Sequence, residues 1–443
     1  MGNAIEEAIA ALHRLPDWQV RGTVVTVKGL RVECAGLSRE ISMGARCRIQ
    51  THHGTPLLCE VVGFHDNHAV LLPYADLDGV GPGCSVEPVS SSAVVYPTTA
   101  WLGRVVNALG EPVDGGPPLP MGVTPYPLRA NPPPAHKRQR VGEKLDLGVR
   151  SMNTFLTCCR GQRMGIFSGS GVGKSTVMAM ISRYANADVS VIGLTGERGR
   201  EVQEFLQDNL GEEGLARSVV VVATSDESAV MRKQATYLTL TLAEFFRDQQ
   251  MQVLCMIDSL TRFAMAQREI GLAAGEPPTS KGYPPTVFAE LPRLLERAGP
   301  GTGEGSITGL FTVLVEGDDT NEPISDAVRG IVDGHIVMRR AIAERGRFPA
   351  VDVLKSVSRT MPDCNSDREN ALIARARGLM STYEDMADMI RLGAYRKGSS
   401  KEVDQAIQFY PALEKFLTQG KKEFTDLESG YRMLAELLGV EWG

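Results

Sequence analysis

Apolar positions change their spacing several times along the chain. Over residues 4–15, Ile5, Ile9, Leu12 and Leu15 recur near helical spacing and predict a short amphipathic helix stopped by Pro16. From 19 to 90 the apolar runs shorten. Segments 19–27, 30–34, 46–50, 57–63, 69–72 and 84–88 alternate with Gly, Pro and Asp turns, which predicts a small β-barrel. Prolines such as Pro112, Pro117, Pro118, Pro120, Pro125 and Pro127 then rule out long regular elements across 91–142. Between 143 and about 360, strand-length apolar runs at 164–167, 188–194, 218–223, 253–257, 308–315 and 335–338 alternate with helix-compatible stretches. That alternation predicts an α/β unit with a parallel sheet. A strand-like 352–354 follows. Helical patterns at 368–380, 383–392, 402–417 and 424–438 predict a separate α-helical domain at the end.

Composition narrows this picture. At 443 residues, 43% hydrophobic and 23% charged, the chain is expected to be a soluble globular protein of several domains. Its net charge of −6 argues against a dedicated nucleic-acid or acidic-membrane binder. The basic run 136–140 therefore reads as a solvated loop face before it reads as a nucleic-acid patch. The eight cysteines lack C-x-x-C or zinc spacing and read as reduced, mostly buried thiols of a cytoplasmic protein. His52, His53, His65 and His68 are expected on loops or strands rather than on a metal. No apolar run approaches the roughly 20 residues of a membrane span, and no secretory leader is expected.

One stretch carries chemistry on its face. The apolar run 164–167 enters a loop holding Gly169, Ser170, Gly171, Val172 and Gly173, followed by Lys174, Ser175, Thr176 and a helix-compatible segment. Glycines let backbone N–H groups converge without Cβ clashes. Those donors and the helix N-terminus favour bound phosphate. In this strand–loop–helix setting Lys174 supplies charge to the β- and γ-phosphates, and Ser175 a hydroxyl for Mg²⁺. Ser168 stands where the strict motif has Gly.

Further residues gather around this loop. Glu197 follows the strand after the P-loop helix. A βαβ crossover is expected to set the two strands close together with their carboxyl ends on one side, so that Glu197 faces the γ-phosphate and polarises a water. Arg198 beside it either stabilises phosphate or packs on the turn. Asp258 ends the buried run 253–257, the position of the outer acid that holds Mg²⁺ and its waters. Arg262 reads as a γ-phosphate contact or a structural ion pair. Arg359 lies far along the chain, and sequence physics leaves its role open. Phe348 is either an aromatic wall for adenine or ordinary packing.

Taken together these stretches resemble the catalytic subunits of rotary-type ATPases, and more narrowly the flagellar protein-export ATPases of type III secretion. The resemblance is carried by 169–175, 193–202, 258–264, 277–285, 315–319 and 333–336, and it continues through 383–386 and 391–398. It implies an N-terminal helix (1–18), a β-barrel (19–91), a P-loop ATPase domain (92–364) and a helical C-terminal domain (365–443). It implies ATP and Mg²⁺ as ligands, Lys174 and Ser175 as their phosphate and metal contacts, and Glu197 as the catalytic carboxylate. Asp258 becomes the Walker-B acid, Arg262 a γ-phosphate contact, Arg359 an arginine finger reaching into a neighbouring subunit, and Phe348 part of the adenine pocket. Because one chain carries both Glu197 and Arg359, a homohexamer is expected. Further implied partners are a stator-like regulatory protein at residues 4–15, stalk and export-gate proteins, and export substrates with their chaperones. The implied location is the cytoplasm, peripheral at the inner-membrane export apparatus. A virulence injectisome ATPase shares this chemistry. A hexameric RNA translocase needs a basic, aromatic-bearing groove that the barrel does not offer. The acidic lever motif of synthase subunits is not found in the C-terminal region.

Overall fold

The computed structural model describes residues 20–90, 93–315 and 322–442. The expected helix at 4–15 lies outside these residues, as do 316–319 of the family-like stretch 315–319. The chain divides into two compact units. One holds the described residues through Ala93 together with Glu269–Glu276, and the other holds Val94–Arg268 and Pro277 onward.

In the first unit, six strands close into a barrel: Gly22–Lys28, Arg31–Ala35, His68–Pro73, Pro56–His65, Arg46–Gln50 and Ser85–Ser90, in that spatial order. Alternation decides which side chains fill it. In Arg31–Ala35 and Arg46–Gln50 every second residue is buried, placing Val32, Cys34, Cys47 and Ile49 in the interior. His65 and His68 pair across a two-residue hairpin whose Asp66 and Asn67 adopt φ of 46° and 65°. This is the turn chemistry Asp and Asn tolerate, and it gives the His-x-x-His spacing a structural origin.

A nine-stranded sheet, counted among the described residues, forms the second unit. Its path runs Val357–Ser358, Gly334–Met338, Arg163–Ser168, Ser306–Leu314, Gln252–Asp258, Val189–Glu197, Ser218–Thr224 and Val105–Asn107, with Gly299–Pro300 off the path. From Gly334–Met338 onward every neighbouring pair on this path is parallel. The central strands are buried almost without interruption, as sheets covered on both faces require.

Three expectations are corrected here. The strand bearing Glu197 does not lie beside the P-loop strand: Ser306–Leu314 and Gln252–Asp258 stand between them. A crossover demands parallel strands in one sheet, not adjacent ones, and two later apolar strands occupy the middle. Residues 352–354 are a turn, because the Asp352 carboxylate accepts from the N–H groups of Leu354 and Lys355 at 3.1 Å each. The segments 368–380 and 383–392 are one helix, Asp367–Arg391, since nothing between them removes a backbone donor.

The remaining helices are Lys401–Leu417 and Leu427–Leu438, the latter starting at Asp426, whose side chain accepts from Ser429 N–H. They are not packed apart from the sheet. Leu372, Ile373, Leu413, Phe416, Tyr431 and Leu434 belong to the same buried cluster as Ile166, Val177 and Met256. Buried Arg150 adds a polar fastening, donating to the carbonyls of Phe416 at 2.9 Å and Thr418 at 3.2 Å and pairing with Glu423.

Candidate active site

The parallel strands end together, and the site lies at their carboxyl edge, where open α/β sheets place ligands. Strand Arg163–Ser168 delivers the loop to helix Lys174–Tyr184. Gly171 and Gly173 hold φ of 76° and 91°, left-handed geometry that a Cβ disfavours. No side chain caps the helix start at Gly173. Its first N–H groups are thus left for an anion. Val172 is buried in the core and pins the loop, while Ser170, Gly171 and Ser175 are exposed. Arg340 clamps the loop from outside, donating to the Ser170 carbonyl at 3.1 Å.

Lys174 sits between two carboxylates. It pairs with Asp258, and its Nζ lies 3.4 Å from Glu197 Oε1. Asp258, 3% exposed, also accepts from Thr312 Oγ1 at 2.7 Å. Burial works to discharge Lys174, but the charges of Asp258 and Glu197 outweigh it and hold the ammonium above its ordinary range. Glu197 moves the other way. Burial first, then the Asp258 charge, push its carboxyl up to about 7 against the pull of Lys174. A hydrogen bond shared with Glu201 adds to that rise and correspondingly lowers Glu201. A group near neutrality is poised to exchange a proton with water.

Local backbone aims Glu197. The register with Ser218–Thr224 slips between Thr195 and Glu197, and Gly196 takes φ of 72° at this bulge. A Cβ on Gly196 would stand 2.9 Å from the Arg262 side chain, so Gly lets Arg262 lie against the bulge. The Arg262 Nε is buried without a hydrogen-bond partner among the described residues. The structural ion pair that was the alternative for Arg262 is absent from the salt bridges of the described residues. Arg198 occupies the N-cap position of the next helix, Gly199–Glu204, its N–H donating to Glu201 Oε2 at 3.5 Å, with its side chain 78% exposed and 3.8 Å from Glu201.

Gly169, Ser170, Gly171, Gly173, Lys174, Ser175, Thr176, Glu197, Arg198 and Arg262 all line one open cleft of about 1120 Å³. Val172 and Asp258 support it from beneath. Phe348 stands at its shoulder, 46% exposed, where a Cβ on Gly173 would meet its ring at 3.6 Å. Arg359 is not brought in. It is exposed, and its guanidinium donates to the Arg329 carbonyl at 3.2 Å. Sequence reasoning passed over Thr312, Glu201 and Arg340. Thr312 was visible as a hydroxyl within an apolar strand, and Glu201 as an acid one helical turn after Glu197. Arg340 left no signal.

Ser175 at the cleft and Asp258 beneath it carry hard oxygen donors, the type Mg²⁺ takes when phosphate and water complete its shell. The uncapped helix start and the left-handed glycines form the matching phosphate cradle. These residues therefore fit a magnesium nucleotide.

Fold and site together define a P-loop ATPase with a β-barrel before its nucleotide-binding domain and a helical domain after it. Three family models match successive parts of the chain. Residues 18–89 match the ATP synthase alpha/beta family β-barrel domain, 148–358 its nucleotide-binding domain, and 365–436 the T3SS EscN ATPase C-terminal domain. The chain is 58% identical to the flagellum-specific ATP synthase of Caulobacter vibrioides over 98% of its own length and 99% of that protein. It is 46% identical to the type 3 secretion system ATPase of Xanthomonas euvesicatoria, over 94% of this chain and 93% of that one. The assembled ATPase EscN of enteropathogenic E. coli superposes with a TM-score of 0.87 at 38% identity, covering 94% of this chain and 100% of EscN. The chain belongs to the ATP synthase alpha/beta family, in its flagellum-specific and type III secretion branch.

Proposed function

We propose that this ATP-hydrolysing enzyme serves the flagellar type III protein export apparatus, coupling hydrolysis to the unfolding and delivery of export substrates. The observation that carries this reading is the end-to-end 58% identity to a flagellum-specific relative, with the Lys174–Glu197–Asp258 cluster intact at the cleft. In the proposed reaction the loop N–H groups and Lys174 hold the β- and γ-phosphates. Glu197 orients the attacking water and takes its proton. Arg262, which lines the cleft, contacts the γ-phosphate, with Arg198 at the rim and the exposed Phe348 ring against adenine. Ser175 and Asp258 are the residues that would hold Mg²⁺, which would neutralise charge on the phosphates. Arg359, exposed and outside its own cleft, completes the site of a neighbouring copy, which makes the working form a homohexamer.

EscN has been solved with its central stalk EscO, and that structure matches this chain with a TM-score of 0.85. A stalk is accordingly the first partner proposed here. A stator-like protein at residues 4–15, the export gate, and substrates with their chaperones complete the set. None of the helices among the described residues is long and apolar enough to cross a membrane. The proposed location is cytoplasmic and peripheral at the inner-membrane export apparatus. The injectisome reading retains the 46% identity to the Xanthomonas protein, but the flagellar relative is the more similar.

Hydrolysis by the purified protein and its Glu197→Gln variant tests the chemistry. Loss of a positioned general base is expected to cut turnover by about 10²-fold or more. Undiminished turnover in Glu197→Gln would remove the proposed role. Motility restored to a deletion strain by the wild type but not by Glu197→Gln tests the pathway, and restored secretion of virulence effectors instead would favour the injectisome.

A further inference from the structure

Strand Ser306–Leu314 runs between the strand that feeds the phosphate loop and the strand that ends in Asp258. Thr312 is in register with Ile166 of the first, and Phe311 beside it with Ile257 of the second. Phe311 and Val313 are fully buried apolar side chains, and Thr312 between them is fully buried too. A hydroxyl at such a position costs free energy unless it is hydrogen-bonded, and valine would fill nearly the same space without that cost. Thr312 has two acceptors in range, the Ile257 carbonyl at 3.4 Å and Asp258 Oδ1 at 2.7 Å. One hydroxyl carries one proton, and the shorter contact to a charged acceptor takes it.

The Lys174 ammonium pairs with the same oxygen, Asp258 Oδ1. Both donors therefore converge on one side of the carboxylate, and Oδ2 accepts no hydrogen bond from the described residues. A carboxylate held at one oxygen from two directions cannot turn about its Cβ–Cγ bond without losing both contacts. Its two oxygens thus have different roles. Lys174 alone does not impose this, because its ammonium has three donors on a long stem and also lies 3.4 Å from Glu197. Thr312 has a single short side chain on a central strand.

We propose that, given the magnesium–nucleotide reading of the cleft, Thr312 is a positioning residue for the metal: it pins Asp258 Oδ1 beside Lys174 and so reserves Oδ2 for Mg²⁺. Without the Thr312 donor the carboxylate can rotate and turn both oxygens to the Lys174 ammonium, and neither is then reserved. The consequence is selective. Metal affinity falls, while nucleotide affinity in the absence of metal is kept, because the loop N–H groups and Lys174 are unchanged. Groups that orient a metal-binding side chain set metal affinity by about 10- to 100-fold.

Mn²⁺ serves as the probe, titrated into the full chain loaded with ADP and followed by the electron paramagnetic resonance signal of the unbound ion. Thr312→Val should weaken Mn²⁺ binding about 10-fold. Thr312→Ser keeps the hydroxyl and should bind Mn²⁺ as the wild type does. A fluorescent ADP analogue in EDTA should bind all three proteins equally. Undiminished Mn²⁺ affinity in Thr312→Val, a Thr312→Ser protein as weak as Thr312→Val, or an equal loss of metal-free nucleotide binding would overturn the proposal, the last because general damage to packing gives that result. A wild type that binds no Mn²⁺ would remove the magnesium site itself, whereas wild-type binding that Thr312→Val leaves unchanged removes only the role of Thr312. Thr312→Ala carries the same expectation if Thr312→Val does not fold.

Discussion

Glu197 illustrates a conflict between stability and chemistry. Its carboxyl stands at about 7 in the folded chain against an ordinary value of 4.5, so the folded state holds the proton more tightly. The associated stability is fully present below 4.5 and is lost as pH rises through about 7. Glu197→Gln removes that loss. In the nucleotide-free, metal-free protein it should raise stability at pH 8 by on the order of 2 kcal/mol, seen as a higher Tm, and change it little at pH 4.5. Equal shifts at both pH values, in thermal melts, would contradict this account. Ser168 gives a smaller case. Its hydroxyl is buried and has no hydrogen-bond partner among the described residues. Ser168→Ala should therefore leave hydrolysis intact and stabilise the chain by up to about 1 kcal/mol in denaturant unfolding. A loss of stability would mean that the hydroxyl has a partner.

Between elements, the fastening of the terminal helices rests on Arg150. It is 5% exposed and satisfies the carbonyls that end helix Lys401–Leu417, while its partner Glu423 is 46% exposed at the side chain. Arg150→Ala strands the Phe416 and Thr418 carbonyls and should destabilise by about 3 kcal/mol. Glu423→Ala removes a half-solvated partner only and should cost about 1 kcal/mol or less. Urea melts of the two variants check this ranking, and equal losses would reassign the fastening to the ion pair. Sheet order matters at the same scale. Asp258 reaches Lys174 because only strand Ser306–Leu314 separates their strands, and that strand contributes Thr312 to hold the carboxylate.

For the whole molecule the central fact is that Glu197 and Arg359 share a chain but not a cleft. The proposed hexamer resolves this by giving each site a carboxylate from one copy and an arginine from the next. Mixing Arg359→Ala with Glu197→Gln subunits then creates some interfaces with both groups intact. At equal mixing about one quarter of interfaces should be so restored, and hydrolysis should rise above that of either variant alone. No recovery at any ratio would count against a shared site.

The chain by itself determined most of the elements, though not the turn at 352–354 or the continuity of helix Asp367–Arg391. Alternating runs specified the barrel strands, because a pleated strand with one buried face must repeat every two residues. Continuous apolar runs marked the buried parallel strands, and Gly171, Gly173, Lys174 and Ser175 marked the phosphate loop, because that local geometry is set by the residues that form it. Tertiary structure decided the order of strands, since apolar runs are interchangeable until packing ranks them. It therefore decided that two strands separate Glu197 from the P-loop strand, that Glu201 and Arg340 line the cleft, and that buried Thr312 holds Asp258. Burial raised Glu197, and a bulge at Gly196 aimed it. Neither follows from spacing along the chain, because electrostatic fields and side-chain contacts depend on distances that only the folded packing sets.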